Sequence, residues 1–197
     1  MTRTYVVTGS ASGIGATTTR ILRDRGHRVI GVDLHDAEVT ADLSTPEGRL
    51  AAAKAAAELA DGPIDGVIAC AGISAPIAKT VSINFFGVTE FLEALLPALQ
   101  KSVAPRAAVI SSIASLHPNS KELVDAMMDG EEAKALQIAE ELIASNQTGG
   151  YIVYPSSKRA LARWVRRESI KPDWAGAGIP LNAVGPGTVV TPMTKEL

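Results

Sequence analysis

The 197-residue chain contains a single cysteine, Cys70, so no disulfide can form within it, and a reducing compartment fits it better than secretion. An excess of charge of one sign is also lacking: 19 basic against 21 acidic residues leave a formal net charge of -2. That balance gives no reason to expect nucleic acid or another polyanion as a partner, and Arg159, Arg163, Arg166 and Arg167 read as the wet face of a helix. The N-terminus lacks the apolar core of a signal peptide, since Tyr5-Val6-Val7 is only a short run. No stretch approaches the ~20 apolar residues of a membrane span. The expectation is a cytoplasmic protein without nucleic-acid or membrane partners.

Two chemistries are missing as well. His27, His35 and His117 stand apart, with no cysteine or acidic residue at ligand spacing, so no metal site is expected. No Gly-x-Ser-x-Gly elbow occurs, which removes the hydrolase triad that such a turn presents. Cys70 follows an apolar run and reads as a buried small residue rather than a nucleophile.

What is present is an alternation. Thr4–Thr8, Val29–Asp33, Gly66–Ala69, Ala107–Ser111 and Leu181–Val184 read as strands. Between them, Ile14–Arg25 reads as a helix ended by Gly26, and Ser44-Thr45-Pro46-Glu47 as a capping box opening a second. Ser82–Leu99, bent at Pro97, and Tyr154–Ile170 read as two more. Apolar strands alternating with helices predict an α/β protein: a doubly wound, parallel, three-layer α/β/α sheet of Rossmann type in one domain. Ligands of such sheets lie beyond the carboxyl ends of the strands.

One segment interrupts the alternation. Lys121–Met128 and Glu131–Ile143 are rich in helix formers, with Leu136, Ala139, Leu142 and Ile143 on one stripe. Residues 117–150 therefore read as a helical hairpin inserted in the sheet, broken near Asp129-Gly130.

The chemistry-bearing residues fall at the expected strand ends. Thr8-Gly9-Ser10-Ala11-Ser12-Gly13-Ile14-Gly15 joins the first strand to a helix, where glycines let a phosphate approach the backbone and the free N–H groups beyond. Asp33 ends the second strand, 18 residues beyond Gly15, where a carboxylate accepts from ribose hydroxyls and repels a 2′-phosphate. No Arg or Lys stands at Ser12, Leu34 or His35, so NAD is favoured over NADP.

Tyr154 and Lys158 are four apart, one helical turn on one face. Pro155 belongs in a first helical turn and disfavours an α conformation at Tyr154, which would put the phenol at the helix mouth. An unperturbed phenol ionises near pH ~10, and moving that to neutrality requires ~4 kcal/mol of preferential stabilisation of phenolate. The Lys158 ammonium and an oxidised nicotinamide ring, both positive, together suit that task. Ser112 follows the fourth strand and can hydrogen-bond a substrate oxygen, with Ser111 as the competing candidate, since alternation points only one of them at the site. Asn84 lies within a helix, either as a solvated surface residue or as part of a water-holding relay behind Lys158.

Together these residues make the chain resemble the short-chain dehydrogenase/reductase family from end to end. The matching pieces are Thr8-Gly9-x-x-x-Gly13-Ile14-Gly15, Asp42-Leu43, Cys70-Ala71-Gly72, Asn84 with Gly87, Ser112, Tyr154 with Lys158, and Pro186-Gly187-Thr188. The resemblance implies Tyr154 as general acid/base and Ser112 as the residue orienting the carbonyl. It implies that Lys158 binds the nicotinamide ribose and assists the tyrosine, and that Asn84 supports a proton relay. It further implies cofactor binding by Gly9, Ser12, Gly13, Ile14, Gly15, Asp33, Asp42, Leu43, Ala71, Gly72, Tyr154, Lys158, Pro186, Gly187 and Thr188, and adenine contacts by the Asp42-Leu43 pair. The expected activity is NAD-dependent interconversion of a secondary alcohol and a ketone.

Within the family, four pieces are similar to bacterial 3α-hydroxysteroid dehydrogenase/carbonyl reductases: Gly31-Val32-Asp33, Ala41-Asp42-Leu43-Ser44-Thr45, Val81-Ser82-Ile83-Asn84 and Gly130-Glu131-Glu132-Ala133-Lys134. Coniferyl-alcohol dehydrogenases are similar too, which leaves an aryl or allylic alcohol beside a hydroxysteroid as the implied substrate. A cofactor-binding member without turnover is the alternative from another class. Two departures stand out: Cys70 replaces an Asn that usually ties neighbouring strands, and the chain ends at Leu197, just after the Thr191-Pro192-Met193 that usually opens a substrate loop. A truncated substrate half, lacking that loop and a last strand, is therefore expected. Family members commonly pair through the helices carrying the Asn and the Tyr, so a homo-oligomer, with a dimer favoured, is expected, its interface involving the insertion.

Overall fold

Strand β1 (Thr4–Thr8) lies centrally in a six-stranded, all-parallel sheet with β2 (Arg28–Asp33), β3 (Val39–Thr40), β4 (Gly66–Ala69), β5 (Ala107–Ile110) and β6 (Leu181–Val184). The order is β3-β2-β1-β4-β5-β6, so the chain reverses direction across the sheet between β1 and β4. A crevice opens at such a switch point, beyond the strand ends. The structure is a computed structural model that describes residues 2–145 and 149–194. Residues 146–148 of the expected insertion lie outside the described residues.

Parallel pairing dictates the side-chain pattern. Val6, Ile30, Val67 and Val109 face one side, where Phe91, Leu92 and Leu95 of α4 (Gly87–Leu99) and Leu161 and Trp164 of α7 (Gly149–Glu168) bury them. Each such apolar side chain contributes about 1.5–3 kcal/mol on leaving water, so this face holds most of the core. On the other face Tyr5, Val7 and Val29 form a smaller cluster with Leu22 of α1 (Gly13–Asp24).

Several elements differ from the sequence reading. Helix α2 (Pro46–Ala60) starts one residue later than the capping box implied: Thr45 is the cap, its hydroxyl accepting from the Gly48 N–H at 3.1 Å. Pro46, with its φ preset, suits the first helical position, and the Ser44 N–H is instead taken by Asp42. The two-residue β3 is too short to carry an alternation signal and was not expected.

The third long helix runs from Lys79 to Leu99, through α3 (Lys79–Val81), a π-helical turn (Ser82–Phe86) and α4. Its irregularity therefore sits around Asn84, while Pro97 lies in its last turn. By length and composition this helix could cross a membrane, contrary to the sequence reading, but 67% of its most apolar window is buried inside the fold, as suits a core helix.

The inserted hairpin forms as expected: α5 (Lys121–Met128), a turn at Gly130 with φ +77°, and α6 (Glu132–Ser145). Leu123, Val124, Met127, Ala135 and Ala139 are buried with α7, which makes the insertion part of the main core. The last helix departs most. It begins at Gly149, so Tyr154 lies in its second turn and Pro155 inside it. The pre-proline preference is overridden by burial of Val153 before and Ala160 and Leu161 after Pro155. Ser156 and Ser157 donate back to the carbonyls of Ile152 and Tyr154, which knits the turn around the missing N–H.

Candidate active site

The glycine turn after β1 is required by geometry. Gly9 and Gly13 hold φ of +67° and +53°, and a methyl group on Gly15 would lie 2.0 Å from the Gly9 carbonyl oxygen. Ser12 then caps α1 without any side-chain hydrogen bond to it. The N–H groups of the first turn and the positive end of the helix dipole are left for an anion. The segment after β6 folds back here, with the Thr191 methyl in van der Waals reach of a Cβ on Gly13.

A cleft runs from this turn along the strand ends. At one end it is lined by Asp33, Asp42 and Leu43, and at the other by Ala71, Gly72, Ser112, Tyr154 and Lys158, with Pro186 and Gly187 beside them. The residues singled out in the sequence thus meet in one place, with two exceptions. Asn84 lies behind the wall, and Thr188 is exposed outside the lining. Ile73, Ile83, Val189 and Met193 also line the cleft and were missed, because apolar residues in loops and single irregular turns carry no periodic signal that tells a cleft wall from the core.

Asp33 lines the cleft with both carboxylate oxygens already accepting backbone N–H groups, from Ala11 at 2.9 Å and Leu34 at 2.7 Å. Its position is therefore fixed, and each oxygen keeps a further lone pair. Asp42 accepts from Ser44 and from the Lys79 ammonium, and these bonds hold its carboxyl below the usual carboxylate range.

Lys158 is the most unusual group. Its side chain reaches back under the cleft floor, and its Nζ donates to the Ile110 carbonyl at 2.9 Å, 5.8 Å from the centre of the Tyr154 ring. Only 4% of the residue is exposed, and burial pulls its pKa from the ordinary 10.5 down to about 8. The ammonium thus persists at neutral pH while titrating within reach of it. Cys70, nearby, is pushed the other way, up to about 12 by burial, so its thiol stays neutral and unreactive. The Thr8 hydroxyl accepts from the Ala71 N–H at 3.1 Å, linking β1 to the loop after β4 beside Cys70.

Both serines border the cleft, so the lining does not choose between them: Ser111 is buried and donates to the Lys158 carbonyl at 3.3 Å, whereas Ser112 is half-buried and caps a short 3-10 turn through the Ala114 N–H.

Asn84 is fully buried, so it is not a surface residue. Its amide accepts from the Ile73 N–H and donates to the Ile73 carbonyl, and it donates to the Ser157 hydroxyl at 3.1 Å. That hydroxyl in turn donates to the Tyr154 carbonyl. The side chain therefore fixes the turn between Tyr154 and Lys158, a partner the sequence did not disclose. A Cβ on Gly72 would meet Asn84 and Lys158 at 3.0 and 3.4 Å, so the glycine lets the loop close over both.

Comparison with known proteins agrees with this geometry. The short chain dehydrogenase family model matches residues 3–124. The chain belongs to that family. It is 43% identical to the 3-alpha-hydroxysteroid dehydrogenase/carbonyl reductase of Comamonas testosteroni over 196 residues, 96% of this chain and 74% of the relative. It is 31% identical to a coniferyl-alcohol dehydrogenase of a Pseudomonas species, covering 97% of this chain and 74% of that one. The crystal structure of a 3-alpha-hydroxysteroid dehydrogenase from a Pseudomonas species, complexed with NADH, superposes with a TM-score of 0.87 at 40% identity, over 96% of this chain and 74% of that one. As a family member the chain is an oxidoreductase acting on CH–OH groups.

The buried ammonium yields a stability prediction. Lowering the lysine pKa from 10.5 to about 8 means that the unfolded chain binds the extra proton between those values, so folding stability rises with pH through that window. Below pH 8 the charge costs about 3 kcal/mol, against the ~1–3 kcal/mol lost if the Ile110 carbonyl is left unpaired. Lys158→Met is therefore expected to melt within a few degrees of the parent at pH 7 while turnover falls more than 100-fold. Thermal melts and initial rates on the same preparations check this. A large loss of stability with activity retained would contradict it.

Proposed function

We propose that the chain is an NAD-dependent dehydrogenase/reductase that interconverts a secondary alcohol and a ketone on a bulky apolar substrate of hydroxysteroid type. The observation that carries the proposal is the Tyr154 phenol with the buried Lys158 ammonium at one end of a cleft whose other end is the glycine turn and an uncapped helix start. The two relatives identified by hydroxysteroid activity support the substrate class.

In this reading the N–H groups after Ser12 hold the pyrophosphate, and Asp33 accepts from the adenosine ribose, which favours NAD over NADP. The walls at Ile14, Asp42 and Leu43 flank the adenine. Ala71, Gly72, Pro186, Gly187 and Thr188 border the nicotinamide half. The bound cofactor supplies or accepts the hydride.

Ser112 orients the substrate oxygen, and Tyr154 gives it a proton during reduction or takes one during oxidation. Lys158 binds the nicotinamide ribose and favours the ionised phenol by its charge. Asn84 supports the relay by holding the turn that carries both residues. Its amide is fully engaged with Ile73 and Ser157, so that support is positional.

The cleft lining agrees with an apolar substrate, since Ile73, Ile83, Val189 and Met193 contribute to it.

The proposal includes a cytoplasmic setting and a homodimer. Insertion helices α5 and α6 lie against α7, so pairing through the Tyr-bearing helix must include them. Sedimentation velocity is expected to return twice the chain mass, and a monomer at micromolar concentration would contradict the dimer.

Tyr154→Phe tests the chemistry. With NADH and a panel of 3-ketosteroids, the variant is expected to lose at least 1,000-fold in kcat while binding NADH as the parent does. The parent is expected to prefer NADH to NADPH. Unchanged turnover in the variant would refute the assignment, and NADH binding without reduction of any ketone by the parent would point to a cofactor-binding protein instead.

A further inference from the structure

Arg49, in the first turn of α2, has no exposed surface. Its guanidinium joins three parts of the chain. Nε donates to the Leu43 carbonyl at 2.9 Å and Nη2 to the Ser44 carbonyl at 3.1 Å. Nη2 also donates to Ser82 at 3.3 Å, the first residue of the π-helical turn that carries Asn84. The counter-charge comes from the inserted hairpin: Glu132 accepts both Nη1 and Nη2, at 2.7 and 2.6 Å, in a two-pronged fork. Glu90 adds a third carboxylate contact at 3.1 Å, and the Phe86 ring lies 5.7 Å from the guanidinium carbon.

The loop that Arg49 grips is the cleft wall at Asp42 and Leu43. It is seated at backbone distance on both sides. A methyl group on Gly48 would lie 2.0 Å from the Asp42 carbonyl oxygen, and one on Gly87 would lie 2.9 Å from that of Leu43. Such contacts define where the loop sits but do not pull it there, and Arg49 supplies the pull on two consecutive carbonyls.

We propose that Arg49 is a positioning residue for the adenine half of the cofactor, and that the helical insertion sets it through the Glu132 carboxylate. This deepens the functional reading above and rests on it. Glu132 makes two of the three carboxylate contacts to this buried guanidinium, and without its charge only the single contact to the partly exposed Glu90 side chain remains to hold the guanidinium in place. Without the Glu132 charge, Arg49 turns toward water or Glu90, and the bonds to Leu43 and Ser44 go with it. The insertion thereby acts on the cofactor site through one side chain, although none of its described residues lines the cleft.

The test uses the full chain and three variants: Glu132→Gln, Arg49→Lys, and Lys134→Ala as an exposed control on the same helix. NADH affinity is read by fluorescence, ADP-ribose affinity by calorimetry, and KM for NADH and for a 3-ketosteroid by initial rates. Glu132→Gln is expected to weaken NADH and ADP-ribose at least fivefold, with the ketone KM and kcat within twofold of the parent. Arg49→Lys, which keeps the charge but cannot reach all three carbonyls, is expected to weaken both at least as much, and the control not at all. If Arg49→Lys fails to fold, Glu132→Gln decides alone. A Glu132→Gln variant that melts earlier but binds both ligands as the parent does would overturn this inference and leave the functional reading standing. A parent that binds no NADH would overturn both.

Discussion

The site is organised around a charge kept dry. Lys158 reaches from α7 under the cleft floor to the carbonyl of Ile110, the last residue of β5, and so joins the helix that bears Tyr154 to the strand that leads into Ser112. Ser111 repeats the link in the opposite direction through the Lys158 carbonyl. The ammonium gains one hydrogen bond and loses nearly all its water, and its lowered pKa reflects that balance. Stability is given up at this point, as is usual where a group must be poised for chemistry. The rest of the core, from the valines of β1, β2 and β4 to the leucines of α4, supports this arrangement by fixing the strand ends.

Much of the site was legible in the sequence because it depends on local rules. A glycine forced into positive φ, a carboxylate at a strand end and a four-residue spacing on a helix are each readable from residue type and position. Five of the six strands and the inserted hairpin, with its break at Gly130, followed from residue pattern in the same way, while the two-residue β3 did not. What failed were features decided by tertiary packing. Pro155 pointed to a helix start at Tyr154, yet α7 begins at Gly149 because buried neighbours outweigh the pre-proline preference. Asn84 could not be told from a surface residue, since its partners Ile73 and Ser157 are remote in sequence. The π-helical turn around it leaves no mark in composition.

Arg49 shows the same limit more sharply. In the sequence it is one arginine in an Ala-rich helix, and nothing nearby announces burial. Its five-fold donor capacity is matched only when the Leu43–Ser44 loop, the helix carrying Ser82 and Glu90, and Glu132 arrive from three separate segments. The insertion, read first as an interruption of the α/β pattern, is thereby tied by charge to the cleft wall at Asp42 and Leu43. In the proposed reading, fold and function are coupled through two buried cations: Lys158 under the Tyr154 end of the cleft and Arg49 behind its Asp42–Leu43 end.

The poised lysine is the claim on which the chemical account turns, and it can be observed without any reaction. Carbon-13 NMR of lysine ε-carbons across pH 6 to 11, assigned by the signal missing from Lys158→Met, measures the titration of that amine directly. One resonance moving with a midpoint near 8, well separated from the remaining lysines, is the predicted result. A Lys158 resonance that titrates with the others near 10.5 would mean that the amine is hydrated, and the proposed role of a dry cation beside Tyr154 would fail.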